Sequence, residues 1–269
     1  MISCVFNGRL GNNLFQIANV ISMAKRLNTE FILPETTWAG HRGVRPVDLS
    51  MFNYNFKRGE YFAVNEYGEK YFHYVPIPFV DNFKVSGFYQ SWKYFDNIRD
   101  ELLNNYFYPS DTICNNLSNY NISDKSLGIS VRRGDYLMLQ NNHCVLSIDY
   151  YQETINKYFL ENTEEIYIFS DDINWCRNIF GDNVHYVNGD IGTQLFLMSK
   201  MKNLILSNST FAWWGAYLNQ NDGMIVAPEP WFGPDNININ TKDLYYPSWI
   251  KQHHTLAFQL YQMSNVFYN

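Results

Sequence analysis

The sequence predicts an α/β protein made of two Rossmann-like halves that face each other across a cleft. Three observations carry this expectation. From residue 126 onward, short apolar runs alternate with helix-period segments, the pattern of a parallel sheet covered on both faces. Residues 1–33 open in the same way, with an apolar run, a glycine loop and a long helical pattern. Between the two, 111–125 is rich in Asn, Ser and Asp and poor in large apolar residues, the composition of a linker. The expected division is 1–123, 124–250, and a C-terminal helix in 251–269 able to fold back on the first half.

Ile2 to Phe6 reads as a strand because it is a short apolar run ended by Asn7 and Gly8. Leu14, Ile17, Ala18, Ile21, Ala24 and Leu27 recur at helical spacing and predict a helix over 13–27. A second strand over 31–33 is stopped by Pro34. The segment 38–78 mixes Tyr, Phe, Gly and Pro without a period and predicts loops and short elements. A strand over 84–89 and a helix over 92–106 complete the first half. In the second half strands are expected over 127–131, 166–169, 184–187, 204–206 and 224–227. Helices are expected over 148–159, 173–179, 193–201 and 210–218, and a last helical pattern covers 254–267.

Of the 269 residues, 46% are apolar and 17% charged, enough for a sizeable core and too apolar for a disordered chain. A net charge of −6 argues against a general nucleic-acid binder, which would present a basic face, so any polyanion site must be a local pocket. The 21 Tyr, 20 Phe and 7 Trp suit stacking on sugars or bases, although most are expected in the core. No run approaches ~20 apolar residues, and the first residues lack a basic n-region, so neither a spanning helix nor a signal peptide is expected. Cys4, Cys114, Cys144 and Cys176 show no C-x-x-C spacing and the histidines no H-E-x-x-H. That predicts reduced thiols, no structural zinc and a cytoplasmic location.

Four stretches that follow expected strands carry chemistry. In NGRLGNNLFQ, Gly8 and Gly11 permit a tight turn and close backbone approach, and the helix N-terminus behind them presents free N–H groups to an anion. Arg9 and Asn12 add a charge and an amide; a plain strand-to-helix turn would look the same. In GISVRRGDYL, Arg132 and Arg133 stand side by side where a strand ends. A guanidinium fork holds two phosphate oxygens at once. Because side chains alternate along a strand, one arginine is expected to face the cleft and the other a buried partner. Asp135 is available to hold a guanidinium, and a salt bridge beside a turn is the alternative.

In IYIFSDDINWC, Ser170, Asp171 and Asp172 precede a helix, so a carboxylate there is either an N-cap or an acceptor for ribose or base. No D-x-D occurs, so a bound diphosphate would be neutralised by arginine and backbone amides. In LILSNSTFAWWGAYL, Ser207, Asn208, Ser209 and Thr210 open a helix as a hydroxyl-and-amide cradle for an anion, followed by Phe211. Trp213 and Trp214 behind it are expected in packing.

GRLGNNLFQ, GFYQSWKYF, VRRGDY, LSIDYYQETI, FSDDINWC, LFLMSKMKNLILSNSTFAWWGAYL, IVAPEPWF and DLYYPSWI run through most of the chain. In order and spacing they resemble the family 11 glycosyltransferases, bacterial and animal α-1,2-fucosyltransferases, and more distantly the protein O-fucosyl- and α-1,6-fucosyltransferases. The resemblance implies a GT-B fold, with 1–123 on the acceptor side and 124–250 binding the donor. It implies transfer of fucose, with inversion, from GDP-β-L-fucose to the 2-hydroxyl of a galactose-type acceptor in O-antigen-like surface polysaccharide. No metal and no cofactor beyond the GDP-fucose co-substrate are implied. The implied partner is a glycan or lipid-linked oligosaccharide, met in the cytoplasm or peripherally at the inner face of the plasma membrane.

By position, Arg132 would bind the donor diphosphate, helped by 207–211, while Gly8, Arg9, Gly11 and Asn12 would line the cleft near fucose and acceptor. Arg132, Asn12 and Asp135 are the candidate catalytic residues. Ser130, Arg133, Asp171, Asp172 and Gln194 join the donor site. The general base stays open among Asp135, Asp171 and Asp172, with Asn12 or a phosphate oxygen as assisting groups.

Two positions depart from the family pattern. Ser130 stands where relatives have His, and Gln194 where they have Asp, both associated with reading guanine. Gln194 would offer a neutral amide in place of a carboxylate to the N1–H and N2–H pair. Retained GDP-fucose is one outcome; another nucleotide-activated deoxysugar, or a non-catalytic nucleotide-sugar-binding relative, are the others.

Overall fold

The computed structural model describes residues 1–78 and 80–256. β1 (Ile2–Val5) leads through Gly8, at φ +85°, into α1 (Leu10–Arg26). β2 (Thr36–Trp38) and β3 (Val44–Pro46) form an antiparallel hairpin, and Trp38 pairs with Asn7 just past the end of β1. β4 (Asn65–Gly68) and β5 (Phe83–Ser86) complete a parallel sheet of order β1-β5-β4. These short strands fall within or beside the aperiodic stretch, where four residues are too few to show a period. The strand expected over 31–33 shrinks to single bridges, Ile2 with Phe31 and Leu33 with Arg58.

The helix expected over 92–106 is broken. Phe95, at φ −144° and ψ 0°, leaves helical space and is fully buried. A short α2 (Arg99–Glu101) then continues into a π-helical turn over Leu102–Tyr106. The expected linker holds α3 (Asp111–Leu117). Its Ile113 is buried in the core, Leu117 packs against the same cluster, and Asn116 donates to Asp190 and Thr193, both at 3.1 Å, so a polar segment docks through a few apolar residues and these hydrogen bonds.

The second half follows the expected alternation: β6 (Ser126–Val131), α4 (Ile148–Tyr158), β7 (Glu165–Ser170), α5 (Ile173–Phe180), β8 (His185–Tyr186), α6 (Ile191–Lys200), β9 (Asn203–Ile205), α7 (Thr210–Tyr217) and β10 (Ile225–Glu229). A further strand, β11 (Ile250–His253), occupies the start of the expected C-terminal helix, whose remainder from 257 lies outside the described residues. The sheet is parallel throughout, in the order β11-β10-β9-β6-β7-β8. The chain winds one way from β6 to β8 and the other way from β9 to β11. A crevice therefore opens beyond the carboxyl ends of β6 and β9, where winding reverses.

α1 is buried on nearly every face between Gly11 and Ala24, not on one stripe, because α7 covers the side away from its own sheet. Phe15 meets Trp213 at 4.4 Å and Trp214 at 5.1 Å between ring centroids, and both tryptophans are fully buried. They are packing residues. One apolar cluster thus runs through both halves, and a second lies on the other face of the large sheet, beneath α4 and α5.

Candidate active site

Register places the charged groups. Val131 at the end of β6 is paired with Ser170 at the end of β7, so Arg132 emerges beside Asp171. One terminal nitrogen of Arg132 donates to Asp171 Oδ2 and the other to Asp135 Oδ1. The second oxygen of Asp135 accepts from Arg9, which enters from the opposite half just before α1. Arg132 is 16% exposed and lies over the Tyr136 ring at 4.9 Å.

The neighbouring arginine goes the other way. Arg133 is buried, with its guanidinium 4.1 Å from the Trp175 ring centroid and its Nε 3.2 Å from Asp172. Asp172 also caps α5, accepting from Trp175 N at 3.1 Å, while Asp171 accepts from Arg133 N at 2.9 Å. Both candidate aspartates therefore have structural partners. Burial by itself would push the Asp135 carboxyl up, but the Arg9 hydrogen bond and the charges of Arg132 and Arg9 outweigh it and hold the group below the ordinary carboxylate range.

Three guanidinium groups and three carboxylates thus meet with no formal net charge. An incoming diphosphate finds Arg132 oriented but shared. It must use the guanidinium N–H groups left over, or displace a carboxylate.

Behind the arginine, Ser130 and Ser207 are buried and hydrogen-bonded through their hydroxyls at 2.9 Å. Asn208 is spent on packing: its Nδ2 donates to the carbonyls of Cys144 and Trp231 at 2.9 and 3.0 Å. Ser209 caps α7, accepting from Phe211 N at 3.3 Å. At Gly11 the two halves approach backbone to backbone. A Cβ there would lie 2.5 Å from Phe211 N and 2.6 Å from the Thr210 carbonyl carbon, so only glycine lets the start of α1 reach the start of α7.

Gln194 opens on the same carboxyl edge. Its Nε2 donates to Gly189 O at 2.8 Å, which fixes the amide and leaves Oε1 as the acceptor. Asn12 Oδ1 accepts from Gln90 Nε2 at 3.0 Å, three residues beyond Arg9 in the first turn of α1. The structure therefore gathers Gly8, Arg9, Gly11 and Asn12 from one half against Ser130, Arg132, Asp135, Asp171, Ser207 and Ser209–Phe211 from the other. Arg133, Asp172 and Asn208 stand behind them.

Residues 1–253 match the sequence profile of Glycosyl transferase family 11. The chain belongs to that family. It is 29% identical to the O-antigen biosynthesis glycosyltransferase WbnK of Escherichia coli, over 93% of this chain and 99% of that protein. It is 34% identical to an alpha-1,2-colitosyltransferase of Escherichia coli, over 56% of this chain and 57% of the relative. Identity to galactoside alpha-(1,2)-fucosyltransferase 1 of Mus musculus is 25%, over 87% of this chain and 71% of the relative. Among solved structures, the fucosyltransferase NodZ from Bradyrhizobium aligns with a TM-score of 0.54 at 12% identity, covering 81% of this chain and 92% of that one. POFUT1 in complex with GDP aligns with a TM-score of 0.52 at 12% identity, covering 82% and 94%. The fold is GT-B, and the protein is a glycosyltransferase.

Sequence reasoning missed two residues of this family 11 site. His143 stacks on Tyr136 at 4.5 Å and 11°, and the Tyr136 hydroxyl donates to Asn208 O at 3.2 Å. Together they form a floor beneath Arg132. Burial pushes the Tyr136 phenol up to about 12 and holds His143 below its usual value. Tyr136 sits inside VRRGDY and was legible there, whereas nothing local marks His143.

Proposed function

We propose that the protein is an inverting, metal-independent α-1,2-fucosyltransferase, moving fucose from GDP-β-L-fucose to the 2-hydroxyl of a galactose-type acceptor in O-antigen-like polysaccharide synthesis. The observation that carries this reading is Arg132, held by two carboxylates at the winding-reversal crevice and faced by the other half of the molecule. As the glycosidic bond breaks, negative charge builds on the β-phosphate. A guanidinium already oriented there stabilises the departing nucleotide without reorganising. The carboxylates of Asp135, Asp171 and Asp172 are each engaged by a guanidinium, which leaves arginine as the neutralising group.

Gln194 supports guanine: with its nitrogen tied to Gly189, it offers the carbonyl oxygen to the N1–H and N2–H donors. The likeness to galactoside fucosyltransferases supports a galactose-type acceptor, and that to WbnK supports O-antigen synthesis. No described helix is long and apolar enough to cross a membrane, which fits action in the cytoplasm or at the inner face of the plasma membrane.

Calorimetry of GDP, UDP and CMP binding, with and without EDTA, tests the reading. GDP-selective binding that EDTA does not change is expected; selectivity for UDP, or loss with EDTA, overturns the donor or the metal independence. A second reading, transfer of another GDP-activated deoxysugar, is favoured by the 34% identity to the colitosyltransferase. A donor panel read by release of GDP separates the two.

A further inference from the structure

Glu69 follows β4 at the carboxyl edge of the smaller sheet, and its side chain reaches sideways into the turn after β5. Oε2 accepts from Phe88 N at 2.7 Å and Oε1 from Tyr89 N at 3.0 Å. Among the described residues no cation pairs with it. A half-buried carboxylate without a counter-charge is costly to keep. Burial raises its pKa, against the pull of those two backbone hydrogen bonds.

The turn it holds is an unusual one. Gly87 has φ +143°, and a Cβ there would overlap Glu69 Cβ. Tyr89, fully buried, has φ +52°, in the left-handed region that a bulky side chain rarely adopts. Its hydroxyl donates back to Ser86 O at 3.1 Å, and Gln16 Nε2 donates to Gly87 O at 2.8 Å. Such backbone persists only where its surroundings over-determine it. Two side chains gain their places from the turn. Phe88 is left 41% exposed, and Gln90, buried, donates to Asn12 at the lip of the glycine loop. An exposed ring two residues along the chain from a fixed amide pair, at the carboxyl edge of the smaller sheet, offers the groups a sugar uses: a ring can cover C–H groups and amides can take hydroxyls.

We propose that the turn 87–90 is the acceptor subsite. Phe88 covers one face of a hexose ring, the Asn12–Gln90 amide pair binds its hydroxyls, and Glu69 is the positioning residue that holds both in register. The inference rests on the transferase reading above and names where its acceptor sits.

The test uses the full chain with lactose as the acceptor probe, in wild type, Phe88→Ala, Phe88→Trp and Glu69→Gln. Phe88→Ala is expected to raise KM for lactose at least tenfold while GDP affinity stays within twofold, and Phe88→Trp is expected to restore it. Glu69→Gln is expected to raise KM for lactose in the same way with kcat changed less, a split that general loss of structure does not produce. Unchanged KM in Phe88→Ala overturns the subsite. Equal loss of GDP affinity and kcat in Glu69→Gln overturns the positioning role. If Glu69→Gln folds poorly, the exposed Phe88 variants carry the test. Saturation-transfer NMR of lactose on wild type and Phe88→Ala is read independently of turnover. Saturation in wild type that is lost in Phe88→Ala supports the subsite even where no fucose is transferred, and equal saturation counts against it. Failure of wild type to bind GDP is instead failure of the function reading.

Discussion

Arg9 and Asp135, 126 residues apart in the chain, are hydrogen-bonded across the cleft, and the other oxygen of Asp135 holds Arg132. The N-terminal half thus takes part in orienting the donor-side arginine. Arg9→Ala removes that brace. Arg9 is 36% exposed and water screens its pair, so stability should fall by about 1 kcal/mol or less. The loosened Arg132 should cost roughly ten- to a hundredfold in kcat/KM, since small displacements of a catalytic group are expensive. Thermal melting and steady-state rates measured together check the contrast.

Arg132→Ala should lower turnover about 10²- to 10³-fold, the usual loss when a preorganised donor to a developing anion is removed. Arg132→Lys should recover little, because one ammonium cannot serve two carboxylates and a phosphate in the plane of a fork. Near-normal turnover in either variant would falsify the role given to this side chain.

Asp171→Asn keeps an oxygen for Arg133 N and withdraws the anion from Arg132. GDP then competes with one carboxylate fewer. Its affinity at low salt should rise by about 1 kcal/mol, roughly fivefold. Weaker binding in calorimetry would mean that Asp171 orders the arginine more than it competes with the ligand.

Gly11→Ala drives a methyl into the backbone at 210–211, atoms that cannot swing aside. A loss of roughly 1–3 kcal/mol is expected, as for other overpacked contacts, read as a lower urea midpoint. An unchanged midpoint would show that α1 and α7 separate freely.

His143 sets a pH dependence. Burial lowers its pKa; the charges of Arg132 and Arg9 act the same way, and Asp135 opposes them. Between the folded value and the unfolded one near 6.5, the unfolded chain binds more protons, so stability rises with pH in that window and is lost on acidification. His143→Phe, which keeps a ring on Tyr136, should melt with a shallower dependence between pH 7 and 5.5. His254 shifts in the same direction and is present in both proteins, so the difference isolates His143.

Much of the site was legible because the motifs end strands. Arg132, Asp171 and Ser207 each follow a short apolar run, and a parallel sheet brings such ends together. Glu69 left no such mark. It follows a four-residue strand in an aperiodic stretch, and its partners lie 19 and 20 residues away. α3 was hidden for a related reason: its apolar residues are few, and Asn116 bonds to partners 74 and 77 residues away.

By itself the sequence determined local facts: the strand–helix alternation of the second half, the strand, glycine loop and helix that open the first, and that adjacent arginines at a strand end diverge. Those depend on near neighbours and on the 2- and 3.6-residue periods of the backbone. Only the tertiary structure decided that Arg132 shares two carboxylates, that Trp213 and Trp214 join the halves, and that a lone glutamate holds a strained turn beside Asn12. Those depend on strand order and on residues far apart in the chain, and no local period encodes them.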